Sequence, residues 1–364
     1  MISATSSNII KHIRFPLASL IVLQHFYTSD AFSVHFSSEY CVYDFIGNMM
    51  SAIFPTFVVP FFFCISGILF FNNINSFNLQ VFIKKIKSRI GSLLIPYIIW
   101  NSVLAILYLL QKGLIVLDHK SIYDIFSYFI RANWAFTEHG FPIDGPLWYI
   151  RDLFIISLLS PIVYWYIKIF KKTGVIFLIT LYVLCIDFGC IGLSSMCVTF
   201  FTLGAYFSIF DFDIITYLYQ KINLKYGFIY IAFTLLLVTL LSRYYNDYSY
   251  YLKHAYIIFS LFFLLTSINE VIKNSLLSDV ICNIKNHDYY NKIIIQSSFW
   301  IFAIHKPIIL IIKKLLFMFC SHDQFLLILS IIVAPVLTVI ISLFLFSVIS
   351  KYKFTYYVTG IRRR

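Results

Sequence analysis

The stretch HIRFPLASLIVLQHFYTSD, residues 12–30, decides how this chain is read. Most of it is apolar, yet Arg14 stands near one end and His25 eleven positions later. An α-helix turns about 100° per residue, so this spacing carries the chain roughly 20° past three full turns. If the segment is helical throughout, both side chains share one face, about 16 Å apart along the axis. Pro16 prefers the first turn of a helix and disfavours α geometry at Phe15. Arg14 therefore belongs either within the helix or at its entrance.

The rest of the chain puts this segment in a membrane. Of 364 residues, 60% are hydrophobic and 12% charged, and the mean hydropathy is +0.86. A soluble domain carries roughly a quarter charged residues. Forty Phe and twenty-seven Tyr suit lipid-facing sides and interfacial belts. The net charge of +12 would point to nucleic acid in a soluble protein. Here the basic residues gather between apolar runs and in the terminal GIRRR, as in cytoplasmic loops, and nucleic-acid binding is not expected. The seven cysteines form no C-x-x-C pair and no His/Cys cluster, so neither a metal site nor a disulfide framework is expected. The first apolar run ends in QHFYTSD, without a small-residue cleavage site, and reads as an uncleaved first span.

A span takes roughly twenty mostly apolar residues. About ten such runs are present, near 10–27, 51–71, 92–111, 147–167, 174–188, 195–210, 226–242, 254–269, 294–314 and 325–349. The expected fold is an all-α integral membrane protein: one bundle over residues 8–350, followed by a basic cytoplasmic tail at 351–364, the whole forming a single domain. Loop charge sets the orientation. The link 72–90 carries Lys84, Lys85, Lys87 and Arg89, and the link 168–173 carries Lys168, Lys171 and Lys172, whereas the loop 28–50 has acidic residues and no Lys or Arg. Both termini are then cytoplasmic and residues 28–50 external. Lys313 and Lys314 fall near the outer face, against the rule. The long loop 112–146 contains SIYDIFSYFIRANW, whose apolar spacing predicts an amphipathic interfacial helix.

Several polar residues break the apolar pattern. An ionisable group inside a bilayer is costly unless it faces protein or water. His25 fits either a hydrogen-bonded structural histidine or a general base. Arg14 fits a snorkelling anchor as well as a binding group. In VPFFFCISGILFF, the Ser66-Gly67 pair fits close helix packing, or a path along which Gly67 makes room while Ser66 offers a hydroxyl. Lys84, Lys85 and Arg89 serve topology or pair with the phosphates of a cytosolic ligand. In GPLWYIRDLFIISLLSP, Trp148 and Tyr149 fit an aromatic belt. Arg151 and Asp152 point about 100° apart on a helix and are expected to have different partners. In SSFWIFAIHKPIILII, His305 lies about a dozen residues into a span, beside Lys306 and Pro307.

The ordered set RFPLASLIVLQH, VPFFFCISG, KKIKSRIGSLLIPY, PLWYIRDLFI and SFWIFAIHKPI resembles the acyltransferase-3 family of membrane acyltransferases over most of the chain. Pro16 departs from the plain helix former that many relatives carry. The resemblance implies O-acylation, most often O-acetylation, of a sugar in an envelope polysaccharide or its lipid-linked precursor. It implies acetyl-CoA or another acyl-CoA as donor substrate, no bound cofactor, and a bacterial cytoplasmic (inner) membrane with its lipid as surroundings. A homo-oligomer is compatible with it. In that frame His25 and Arg14 are the catalytic pair, and Arg14, Ser66, Lys84, Lys85 and Arg89 receive the acyl-CoA. Trp148, Arg151, Asp152 and His305 bind the acceptor or support the site, His305 by orienting His25 or by stabilising the oxyanion. The rival classes are a polysaccharide flippase or polymerase and a small-anion transporter. The first lacks support from a large cationic lumen or a very long acidic external loop, the second from inverted repeats and broken helices in matching halves.

Overall fold

A computed structural model of the chain describes residues 3–27, 41–74, 76–112, 129, 141–190, 192–214, 228–229, 231–237, 239, 251–261, 288–320 and 323–360. The described residues form helices and connecting turns, with no strand among them, in keeping with the all-α expectation. Helix α1, Ala4–Tyr27, runs through Pro16 without interruption. Arg14 therefore lies within the helix and not at its entrance, and it shares a face with His25. The ring at Pro16 removes one backbone N–H.

Helix α2, Cys41–Gly47, continues through a π-helical turn, Asn48–Ile53, and a 3-10 turn, Phe54–Phe57, into α3, Val58–Phe71. Pro55 opens the 3-10 turn, where its missing N–H is not needed. Residues 41–50, expected to be loop, are thus helical. Helix α4, Leu79–Arg89, begins where the Asn78 side chain accepts the Val81 N–H at 2.9 Å. It passes through a π-turn, Ile90–Leu94, into α5, Ile95–Lys112. The basic cluster therefore rides on a helix continuous with the next apolar run, not on a linking loop. Residues 113–128 and 130–140, where the amphipathic helix was expected, lie outside the described residues apart from Phe129.

A 3-10 turn at Gly145–Leu147 leads into α6, Trp148–Leu158, and a 66° bend separates that from α7, Ser160–Val183. Within α7, Lys171 takes φ 48° and ψ −132°, so the chain turns at the basic link 168–173. Gly174 closes this turn: a Cβ there would meet Phe170 at 2.7 Å, and the Tyr166 hydroxyl donates to its carbonyl at 2.9 Å. Helix α8, Ser195–Ile209, follows, then α9, Asp288–Cys320, α10, Gln324–Ile349, and the short α11, Thr355–Thr359.

Three stretches are both long and apolar enough to cross a bilayer: Val42–Phe71, Leu79–Leu107 and Gln324–Ile349. The bent pair α6–α7 makes a fourth if it is one span. The expected count of ten is not reached among the described residues, and much of the runs at 226–242 and 254–269 lies outside them. Helix α8, at 15 residues, covers about 22 Å and is too short to span alone.

Two packing arrangements position the site. Helices α3 and α8 touch backbone to backbone: a Cβ on Gly67 would lie 2.2 Å from the Phe201 carbonyl oxygen, and one on Gly204 would lie 2.0 Å from that of Cys64. Gly67 therefore serves helix packing, not passage of a substrate. Helices α1, α9 and α10 share a second apolar core that includes Val22, Phe26, Ile301, Ile309 and Ile331. Buried Lys313 on α9 donates to the Phe26 carbonyl at 2.6 Å, satisfying one of the unpaired carbonyls at the end of α1. This explains a lysine that the charge rule left unexplained.

Candidate functional site

A cavity of about 400 Å3 runs between α1, α3, α6 and α9 and reaches the junction of α4 with α5 and the end of α11. Arg14 enters it from α1, one helical turn before Ala18, which lines it too. Ser66 enters from α3, on the neighbouring position to the glycine that locks α3 against α8. Arg89 comes from the last residue of α4, with its guanidinium carbon 5.5 Å from the Phe70 ring centroid. Much of the remaining wall is apolar, including Phe62, Ile65, Leu69, Leu153, Phe299 and Phe302.

Arg14 and Arg89 act on each other electrostatically, and no carboxylate forms an ion pair with either among the described residues. Two like charges gathered at one cavity repel, and an anion between them relieves the repulsion. The Tyr149 phenol lies within electrostatic reach of both guanidiniums, and its oxygen stands 3.3 Å from the Ser66 hydroxyl.

Phe302 connects the cavity to a pair of histidines, its ring centroid 6.1 Å from that of His305. The rings of His25 and His305 are 5.0 Å apart, tilted by 40°. His305 is fully buried, and its Nδ1 faces the carbonyl oxygens of Phe302 at 2.8 Å and Ile301 at 3.1 Å. Carbonyls only accept, so Nδ1 carries the hydrogen and Nε2 keeps the lone pair. That Nε2 has no hydrogen-bond partner.

The structure thus brings Arg14, Ser66 and Arg89 to one cavity, and His25 to His305 beside it. It separates others from them. Lys84 is exposed, and Lys85 sits 5.7 Å over the Phe70 ring; neither lines the cavity. Trp148 packs against Phe63 and Phe141. Arg151 and Asp152, expected to have different partners, bind each other, with Nε and Nη2 both 2.9 Å from Oδ1. The long arginine side chain reaches across the 100° that separates their Cβ directions. Asp152 also accepts from the Ser194 hydroxyl at 3.1 Å, which ties α6 to the start of α8.

Sequence reasoning left out Tyr149 as a cavity residue, the carboxylate of Asp144 and the C-terminal segment. Thr359 and Gly360 line the cavity. The Trp100 indole donates to the Val358 carbonyl at 2.9 Å, holding this segment on α5. Gly360 takes φ +63°, and a Cβ there would lie 2.4 Å from the Ser92 carbonyl oxygen, so the hook needs glycine for both reasons. Asp144 is buried beside Lys306, just ahead of the expected PLWYIRD motif. Burial pushes its carboxyl up to about 8, against the opposing pull of the Lys306 ammonium. Among the described residues no three His, Cys, Asp or Glu side chains form a metal-ligand set.

These features define a helical membrane protein whose helix-lined cavity is cationic at two arginines and apolar along much of its wall, with a histidine pair beside it. Residues 9–347 match the acyltransferase-3 family model, an acyltransferase domain. The chain belongs to that family of membrane acyltransferases, as its motif order implied. No curated protein and no solved structure matches it.

Proposed function

We propose that this protein moves an acyl group, in the simplest case acetyl, from cytosolic acyl-CoA to a sugar hydroxyl of an envelope polysaccharide or its lipid-linked precursor. The carrying observation is the cavity itself: two arginines without carboxylate partners among the described residues meet at a largely apolar cavity of about 400 Å3. A phosphate-bearing nucleotide end with a long, thin arm and a thioester matches that division of charge and grease. In this reading Arg14 and Arg89 hold the donor phosphates, while exposed Lys84 and half-buried Lys85 raise the local concentration of anions. Ser66 and Tyr149 offer hydroxyls along the arm.

His25 is the general base. It removes the proton from the acceptor hydroxyl as that oxygen attacks the thioester carbonyl; the C–S bond then breaks and the sulfur leaves with the proton from His25. A positioned base contributes roughly 10²–10⁴ in rate. His305, with its lone pair on Nε2, is suited to accept an N–H from His25 and fix its tautomer, and it is not suited to donate to an oxyanion from that nitrogen. The Arg151–Asp152 pair fastens α6, and Trp148 offers a flat face near the acceptor side. The proposal includes ten spans, cytoplasmic termini and a bacterial cytoplasmic membrane.

The test is transfer by purified protein from radiolabelled acetyl-CoA to the surface glycan extracted from source cells lacking this gene. His25→Ala is expected to abolish transfer while protein yield and acetyl-CoA binding persist. Well-folded, active His25→Ala would refute the mechanism. A flippase or anion transporter needs no thioester and would show no labelled glycan.

A further inference from the structure

Asp144 stands fully buried at the entrance to the 3-10 turn Gly145–Leu147, where an aspartate side chain ordinarily accepts a backbone N–H. Here the side chain caps nothing, and neither carboxylate oxygen has a hydrogen-bond partner. The backbone is held by other means. The Asp144 N–H donates to Asn101 Oδ1 at 3.0 Å, and Asn101 Nδ2 donates to the Tyr97 carbonyl at 2.8 Å. A buried carboxylate kept without partners is costly, and a ligand that supplies them accounts for it.

Lys306, from α9, comes up against the same turn: its ammonium lies 2.9 Å from where a Cβ on Gly145 would stand. It acts electrostatically on Asp144 and on both histidines. Ammonium and carboxylate are close, yet they are not joined in an ion pair. Neither residue lines the arginine cavity. The histidine pair therefore has a cationic cavity reaching it by way of Phe302 and, separately, a divided Lys306–Asp144 pair.

We propose that Asp144 and Lys306 form the acceptor subsite, in which the two free carboxylate oxygens accept from adjacent hydroxyls of a sugar and the Lys306 ammonium donates to the hydroxyl oxygen presented to His25. The proposal rests on the acyl-transfer reading and gives its acceptor a place. A carboxylate only accepts and an ammonium only donates, while a hydroxyl does both. Once ionised, Asp144 repels an anion while Lys306 repels a cation, so the divided pair selects a neutral polyol. It also moves the acceptor away from Arg151 and Asp152, which bind each other, with Asp152 also accepting from Ser194.

The experiment is steady-state kinetics of the full-length protein in lipid nanodiscs, with acetyl-CoA as donor and the glycan from cells lacking this gene as acceptor. Asp144→Asn keeps the shape and removes the charge. At about pH 9, where the Asp144 carboxyl is ionised, the acceptor KM should rise about tenfold or more, with the acetyl-CoA KM and the kcat at saturating glycan held within about twofold. Lys306→Met should also raise the acceptor KM about tenfold or more while leaving the acetyl-CoA KM within about twofold, and Asp144→Glu should recover part of the loss. A fall in kcat at unchanged acceptor KM, or no change in either constant, overturns the proposal. Should the Asp144 and Lys306 variants lose their fold, Gly145→Ala carries the test, because its methyl crowds the ammonium; an unchanged acceptor KM there also overturns it. A wild type that transfers nothing from acetyl-CoA to this glycan defeats the acyl-transfer reading instead. Binding of the same glycan to wild type and Asp144→Asn then decides the subsite, equal affinities counting against it.

Discussion

At the scale of single residues, Tyr149 joins groups that the sequence presents as unrelated. Its hydroxyl touches Ser66, and both cavity arginines act on its phenol. Tyr149→Phe removes one hydroxyl and little volume. It should raise the acetyl-CoA KM several-fold, since a hydrogen bond between neutral groups is worth about 0.5–1.5 kcal/mol, while the melting temperature stays near that of wild type. Arg14→Lys should likewise weaken donor binding, because the ammonium keeps the charge and loses the planar fork. Asp144 supplies the pH dependence. Lys306 faces it from α9, and Tyr97 on α5 feels both Asp144 and the Arg151–Asp152 pair of α6. With its carboxyl near 8, the ionised form that accepts two hydrogen bonds grows as pH rises through that value. The acceptor KM of wild type should fall over that interval relative to Asp144→Asn, in which nothing titrates at this position. A constant ratio of the two KM values from pH 6 to 9 would count against the carboxylate's part. Arg14, His25, Ser66 and His305 were legible because each interrupts an apolar run, and Arg89 because it closes a basic cluster ahead of one. Tyr149 was not, since a tyrosine beside a tryptophan at a span's edge already has an explanation in the interfacial belt. Asp144 was not either, because an aspartate before Gly-Pro reads as turn chemistry.

Among the helices, the contact that fixes the cavity is α3 on α8. Gly67 and Gly204 each lie against the backbone carbonyl of the other helix, so no rotamer change relieves an added methyl. Gly204→Ala should push α3 away and, with it, Ser66 and the cavity wall. Overpacking of this kind costs about 1–3 kcal/mol or more, and the expected readout is a clear drop in thermal half-life in detergent together with a higher acetyl-CoA KM. Gly189→Ala makes a sharp control. Gly189 has φ +64° and open space around it, so alanine there meets only the left-handed backbone cost, about 1–2 kcal/mol, and should leave donor binding alone. If both variants lose donor affinity equally, α3–α8 packing does not set the cavity. The close approach was legible from the Ser-Gly pair in an apolar run, although its partner Gly204 was not, since nothing in sequence pairs residues 137 positions apart. Helix ends were less legible than helix cores. Hydropathy marks where lipid contact stops, whereas backbone hydrogen bonding carries α2 and α4 onward into polar sequence. The basic link at 168–173 was placed well, because the turn at Lys171 needs polar residues around it.

For the whole molecule, orientation is the property on which the donor assignment depends, and the cavity links its separate parts. Arg14, Arg89, Thr359 and Gly360 line one space, so the side of the membrane on which the C-terminal hook lies is also the side from which the arginines are approached. The charge rule puts that side in the cytoplasm; of its two exceptions, Lys313 is buried against α1 and says nothing about loops, while exposed Lys314 still runs against it. Two exposed positions then give one decisive measurement: Tyr357 on the hook and Lys84 on α4. Tyr357→Cys and Lys84→Cys, made where exposed Cys190 and the other accessible cysteines have been replaced, should both resist an impermeant thiol reagent in intact cells and both react once the membrane is opened. Labelling of both from outside would place the arginine cavity away from cytosolic acyl-CoA and end the donor assignment. Labelling of one alone would mean that the hook and the arginines do not share a face, so that Gly360 could not be closing the space in which Arg14 and Arg89 meet.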